Sequence, residues 1–218
     1  MNILDEIFSY LTSKIGSKSV YLVGGSTRDF LLKRDFTDFD FATTLTPKEL
    51  RSIFNDADYH FAKYGITNIK YKGYHITLAT MRKETAYVDS RHPSEILFIK
   101  DINVDYLRRD FTINSIYMDS GKNIIDPANG QIDLKNKTIR MIGDIKERIE
   151  EDLLRILRAI RFKYILGFSI EPKLNTYINN NLSLLKKINI DKITMELKKC
   201  NQEGRIYIEE LLKEVFSN

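Results

Sequence analysis

Asp38 and Asp40 are two residues apart in Thr37-Asp38-Phe39-Asp40-Phe41. Alternate residues of a strand share a face, so the two carboxylates would stand together while Phe39 and Phe41 turn into a core. Paired carboxylates can hold one or two Mg²⁺ ions, which take oxygen ligands and bridge to substrate phosphates. Shortly upstream runs Gly24-Gly25-Ser26-Thr27-Arg28-Asp29. A glycine turn lets backbone N–H groups approach a phosphate, and a helix that follows aims its positive end at the same place. Arg28 adds a charged fork for phosphate oxygens. Each feature alone has a plain structural reading, solvated acids on an amphipathic strand or a tight turn. In combination they suit a nucleoside triphosphate and its metals.

Two further clusters extend this chemistry. In Arg108-Arg109-Asp110-Phe111-Thr112-Ile113-Asn114, Arg109 is suited to triphosphate oxygens, and Asp110 and Asn114 to a ribose hydroxyl. Read structurally, the same run is a helix-capping acid among solvated charges. In Glu151-Asp152-Leu153-Leu154-Arg155-Ile156-Leu157-Arg158-Ala159-Ile160-Arg161-Phe162, Asp152, Arg155, Arg158 and, less regularly, Arg161 recur every three residues. On a helix they form a ridge with apolar residues opposite, either an exposed ion-pair ladder or a polyphosphate track. An Asp and an Arg one turn apart also match a base edge. For cytosine the arginine donates to O2 and N3 while the carboxylate accepts from the N4 amino group. A small shift accommodates adenine, whereas guanine and uracil present the reversed pattern.

The elements that must carry these residues are legible in the apolar spacing. Leu4, Ile7, Phe8, Leu11 and Ile15 predict an opening amphipathic helix. Strands are expected at Val20 to Val23, Phe39 to Thr43, Thr67 to Tyr71, His75 to Met81 and Ile96 to Ile99. The Gly24-Gly25 turn should lead into a helix over Asp29 to Leu32, and Thr46-Pro47 reads as a helix cap. Arg82 to Pro93 is polar and aperiodic, hence a mobile loop. From about Asp144 the pattern turns helical, with Ile149 to Ile165 as one run stopped at Gly167 and further helices after Pro172, Asp191 and Glu203. The expected architecture is an α/β domain over 1–140 followed by an all-α domain over 141–218.

With 218 residues the chain can bury a proper core. Its net charge of +4 suits a polyanionic partner without demanding one. A single cysteine, Cys200, excludes an internal disulfide and fits a reducing cytoplasm. His60, His75 and His92 have no metal-ligand spacing with it, which disfavours zinc. The apolar runs are too short to span a bilayer, and the acidic start is not a secretory signal.

Taken in order, Gly-Gly-x-x-Arg-Asp, Asp-x-Asp, Arg-Arg-Asp-Phe-Thr-Ile-Asn, Asp-Pro-x-x-Gly-x-x-Asp-Leu (Asp126 to Leu134) and Glu-Asp-x-x-Arg-x-x-Arg-Ala-x-Arg-Phe resemble the class II tRNA nucleotidyltransferases (CCA-adding enzymes) and the related bacterial poly(A) polymerases. The resemblance runs from about Val20 to about Leu197. It implies a polymerase β-type nucleotidyltransferase head domain, a helical neck domain, and transfer of C and A from CTP and ATP to a tRNA 3′ end with release of pyrophosphate. It further implies that Asp38 and Asp40 are catalytic and bind Mg²⁺. Gly25 and Arg28 would contact the nucleotide, Arg109 its phosphates or ribose. Asp152 and Arg155 would read the base, with Arg158 and Arg161 in support. Arg140 to Arg148, Leu166 to Glu171 and Tyr87 to Pro93 are similar to the Gram-positive subgroup, the last segment matching the family's flexible loop.

Two features depart from the family pattern. His75 to Thr80 lacks the third acid often found there, and the chain ends soon after the neck, so the family's body and tail domains are expected to be absent. A poly(A) polymerase and a non-catalytic nucleotide- or RNA-binding remnant are the alternatives.

Overall fold

The computed structural model of the protein describes residues 2–87 and 93–217, with side chains outside 85–94. Val88 to His92, in the segment that resembles the family's loop, lie outside the described residues. The chain forms two compact units. The first comprises residues 1–85, 95–109 and 113–131, and the second 86–94, 110–112 and 132–218. Among the described residues no helix is long and apolar enough to cross a membrane.

In the first unit, helix α1 (Ile3–Ile15) starts where the Asn2 side chain accepts the Asp5 N–H at 2.9 Å, satisfying one orphan donor of the first turn. It buries Leu4, Ile7, Phe8, Leu11 and Ile15, the stripe expected from their spacing. Strand β1 (Val20–Leu22), helix α2 (Gly25–Leu31), strand β2 (Phe39–Thr43) and helix α3 (Pro47–Arg51) follow. Thr46 and Glu49 cap α3 reciprocally, with Pro47 in its first turn. Next come β3 (Ile66–Tyr71), β4 (Tyr74–Thr80), β5 (Arg82–Tyr87), β6 (Pro93–Phe98), α4 (Ile102–Asp105), β7 (Tyr117–Met118) and β8 (Ile124–Ile125).

The main sheet has the order β3-β4-β2-β1-β7-β8. Its β2–β4 pair is parallel and its other pairs antiparallel. Phe39, Phe41, Ile76 and Leu78 are buried in one cluster with the α1 stripe, and Phe8 meets Phe41 edge-on at 5.2 Å. Burial of each such ring stabilises by roughly 1.5–3 kcal/mol. The period of two then forces Asp38 and Asp40 to the opposite side of β2 from these phenylalanines.

Two sequence expectations fail in this unit. Helix α2 begins at Gly25 rather than near Asp29, because Gly24 at φ 72° makes the turn and the helix starts on the next residue. Arg82 to Tyr87, expected as loop, is a strand that forms a two-stranded sheet with β6. Apolar alternation is missing there because charges take its place: Arg82 Nε donates to Glu84 Oε1 at 2.7 Å, an i,i+2 pair on one face.

Helix α5 (Gly130–Lys135) begins in the first unit and continues into the second, which also contains β9 (Thr138–Ile139), α6 (Ile145–Glu151), α7 (Leu154–Leu166), β10 (Ser169–Ile170), α8 (Pro172–Asn180), α9 (Ile190–Leu197) and α10 (Gln202–Ser217). Strands β9 and β10 pair in parallel. Phe111 is fully buried and meets Phe162 edge-on at 5.8 Å. Gly167, in the left-handed region at φ 66°, ends α7 as expected. The run from Ile149 to Ile165 is two helices rather than one. Asp152 leaves helical geometry at φ −147°, and its carboxylate accepts the Leu154 N–H at 3.1 Å. A short acidic side chain that bonds nearby backbone competes with helix continuation.

Candidate active site

In the first unit Ser26 fixes the start of α2 against β2. Its hydroxyl donates to the Asp38 carbonyl at 2.8 Å and accepts the Asp40 N–H at 3.0 Å. Asp38, just before β2, is exposed and Asp40 half-buried. Gly24 sits against this pair, so that a Cβ there would lie 3.7 Å from Asp40 Oδ2. Its positive φ favours glycine. Burial raises the Asp40 pKa above the ordinary carboxylate range. Arg109 opposes that shift, the Asp38 charge adds to it, and Thr77 and Arg28 oppose it. Thr77 is the direct partner of Asp40 in the parallel register, and its hydroxyl bonds Asn68 on the next strand at 3.2 Å. A hydroxyl thus stands beside Asp40 in the strand where the family often has a third acid.

Arg109, next to Asp40 electrostatically, is held from behind. Its Nε donates to the Tyr117 hydroxyl at 2.9 Å and its Nη2 to Asp105 Oδ2 at 3.0 Å. The Tyr117 hydroxyl in turn donates to Asp105 at 2.6 Å. Burial disfavours the Arg109 charge, but Tyr117 and Asp105 more than offset it and hold its pKa above the normal arginine value. Burial likewise works against the Asp105 carboxylate; Arg108, Arg109, Tyr117 and the Arg82 N–H overcome it and keep the group well below the usual range. Arg28 is 7% exposed and spans two acceptors: Asp29, through Nε and Nη2 at 3.0 and 2.8 Å, and Asn114 Oδ1, through Nη1 at 2.8 Å. A Cβ on Gly25 would meet Arg28 Nη2 at 3.5 Å.

The first unit therefore brings together Gly25, Arg28, Asp38, Asp40, Arg109 and Asn114, while Asp110, Asp152, Arg155, Arg158 and Arg161 belong to the second. There Asp110 accepts the Phe111 N–H at 2.7 Å and pairs with Arg158 through both Nε, at 2.8 Å, and Nη2. Burial opposes the Arg158 charge, and Asp110 prevails, raising its pKa. Arg155, 5% exposed, donates to Glu151 Oε2 at 2.9 Å and to the Arg148 carbonyl. Arg161 lies 3.1 Å from Glu196 through Nε, an ion pair without hydrogen-bond geometry. Burial leaves its pKa lowered despite Glu196.

The arginines expected as an exposed ridge instead each lie against an acid: Arg155 against Glu151, which it shares with Arg148, Arg158 against Asp110, and Arg161 against Glu196, which it shares with Lys199. Ser26, Thr77, Asp105 and Tyr117 escaped the sequence reading. Of these only Asp105 had a readable signal, its i,i+3 and i,i+4 spacing to Arg108 and Arg109.

Comparison with known proteins places this arrangement. Residues 20–140 match the family described as the poly(A) polymerase head domain. The CCA-adding enzyme of Staphylococcus haemolyticus is 42% identical over 179 residues, which cover 82% of this chain. The chain belongs to the tRNA nucleotidyltransferase and poly(A) polymerase family. Another relative, the CCA-adding enzyme of Listeria innocua, is 39% identical over 81% of the chain. The chain spans about half the length of these relatives, 45% of each. Among solved structures, the Bacillus stearothermophilus CCA-adding enzyme in complex with CTP matches 88% of this chain and 48% of its own, with a TM-score of 0.78 and 32% identity. A tRNA nucleotidyltransferase complexed with a primer tRNA and an incoming ATP analogue matches 96% of this chain and 60% of its own, with a TM-score of 0.70 and 28% identity. These family members share the head-and-neck plan expected from the sequence.

Proposed function

We propose that this protein is a template-independent RNA nucleotidyltransferase that adds C and A from CTP and ATP to the 3′ end of tRNA. The observation that carries this reading is the Asp38–Asp40 pair, tied through Ser26 to the helix that follows the glycine turn, in a chain 42% identical to a CCA-adding enzyme. An RNA 3′-hydroxyl attacks the α-phosphorus, forming the new phosphodiester, and pyrophosphate leaves. Asp38 and Asp40 fit a hard divalent cation. They offer adjacent carboxylates, one exposed and one half-buried. Mg²⁺ bound there would supply charge neutralisation at the phosphates and a more acidic 3′-hydroxyl. Arg109 and Arg28 orient the triphosphate with the backbone at Gly25, and Asp110 and Asn114 serve the ribose. Asp152 and Arg155 present an acceptor and donors to the base edge, supported by Arg158 and Arg161. The reaction belongs to the cytoplasm.

The test is incubation with tRNA lacking its 3′ end, Mg²⁺ and each nucleotide separately, with the product end sequenced. Ordered gain of C and A is the expected result. A long tail from ATP alone establishes the poly(A) polymerase reading, which the family match to that head domain favours. No incorporation despite nucleotide binding rejects catalysis.

A further inference from the structure

Asp105 is wholly buried, yet ionised, and nothing in the proposed chemistry uses it. Its two oxygens divide their donors. Oδ1 accepts the Arg82 N–H at 2.9 Å and Arg108 Nε at 2.8 Å, at the base of the β5–β6 pair. Oδ2 accepts Arg109 Nη2 at 3.0 Å and the Tyr117 hydroxyl at 2.6 Å. Tyr117, also wholly buried, places its hydroxyl oxygen under Arg109 Nε at 2.9 Å. The Arg109 guanidinium is thus gripped along one edge, with its carbon 5.0 Å from the Tyr117 ring centre. Its charge is felt at Asp40.

We propose that Asp105 is a positioning residue: with Tyr117 as its intermediary, it fixes the Arg109 guanidinium within electrostatic reach of Asp40 and ties that arginine to the base of the β5 strand. A long arginine would otherwise lose several rotatable bonds on meeting a phosphate. Holding its fork in advance removes that entropy from the binding step. An amide replaces the carboxylate poorly, because its NH₂ would face the Arg82 and Arg108 N–H groups in one orientation and Arg109 Nη2 in the other. What Arg109 does when so held rests on the nucleotidyl-transfer reading; where it is held does not.

The test separates the two. In isotope-labelled arginine spectra, the Arg109 Nε–H, identified by its loss in Arg109→Lys, should give a distinct, slowly exchanging signal. Asp105→Asn and Tyr117→Phe should both erase that signal. Asp105→Asn should weaken Mg²⁺–CTP binding by roughly tenfold or more and CMP binding by less than about threefold. Tyr117→Phe preserves the shape of the side chain and decides the matter if Asp105→Asn does not fold. Persistence of the signal in Tyr117→Phe overturns the proposal, and so does equal weakening toward CTP and CMP. Loss of the signal in a protein whose wild type binds no CTP upholds the hold on Arg109 and strikes the nucleotidyl-transfer reading instead.

Discussion

The two charged regions of this protein solve opposite electrostatic problems. In the first unit two like charges, Asp38 and Asp40, are crowded on one face of a strand, and burial raises the Asp40 pKa. In the second, Arg155, Arg158 and Arg161 are each matched with an acid from the same unit. An arrangement that keeps like charges together works against folding stability and suits a site awaiting a cation. One that sets each of these arginines against an acid holds donor groups in fixed places. The first region should therefore be mutable without harm to the fold, and the second should not.

The sharpest way to break this contrast is at the carboxylates. Asp38→Ala or Asp40→Ala should lower nucleotide incorporation on the order of a thousandfold, the scale of losing several kcal/mol of metal-borne charge stabilisation. Their thermal midpoints should hold or rise, and full turnover in either variant removes the metal-seat assignment. In the second unit, Arg158→Met should lower unfolding free energy by about 3 kcal/mol, because the buried Asp110 carboxylate loses its Arg158 ion pair. Removing both charges in Arg158→Met with Asp110→Leu should restore much of that loss in denaturant titrations.

The pH dependence should run in opposite senses. Asp40, with a raised pKa, costs stability above its folded value, and that cost fades as pH falls. Glu196 has a lowered pKa: burial raises it, and Lys199, Arg161 and Arg158 outweigh burial. Its contribution is present above the ordinary carboxylate pKa and is lost as pH falls through the folded value. In chelator-treated protein between about pH 3 and 7, the gain from Asp40→Asn and the loss from Glu196→Gln should therefore both shrink toward acid. A gain from Asp40→Asn that grows toward acid would contradict the assignment. Arg155→Ala should blur selection among the four nucleotides by about tenfold, the worth of one good base contact, and unchanged selectivity would count against a protein reader of the base. The smallest effect is expected from Ser26→Ala, about 1 kcal/mol in stability, with turnover reduced only as far as Asp40 moves.

Much of this was legible in the chain because it is local. The α1 stripe and the alternation of Phe39 and Phe41 with Asp38 and Asp40 follow from periods of 3.6 and two, and the Thr46 cap and the Gly167 stop from the capping chemistry of single residues. The misreadings arose where polar residues interact with each other. Arg82 and Glu84 hid a strand, and Asp152 broke a helix that apolar spacing carried straight through. Thr77 gave no signal because it meets Asp40 from a strand 37 residues on, and Tyr117 gave none because no regular spacing joins it to Arg109 eight residues earlier.

By itself the sequence determined which residue types are present, which strand face the two aspartates share, and which family the chain joins, since these depend on order along the backbone. Only the tertiary structure decided how each charge is answered. Asp110 answers Arg158 from 48 residues away, and Asn114 answers Arg28 from 86. Such pairings are set by burial, which makes an uncompensated charge too costly to keep, and burial is a property of the folded chain.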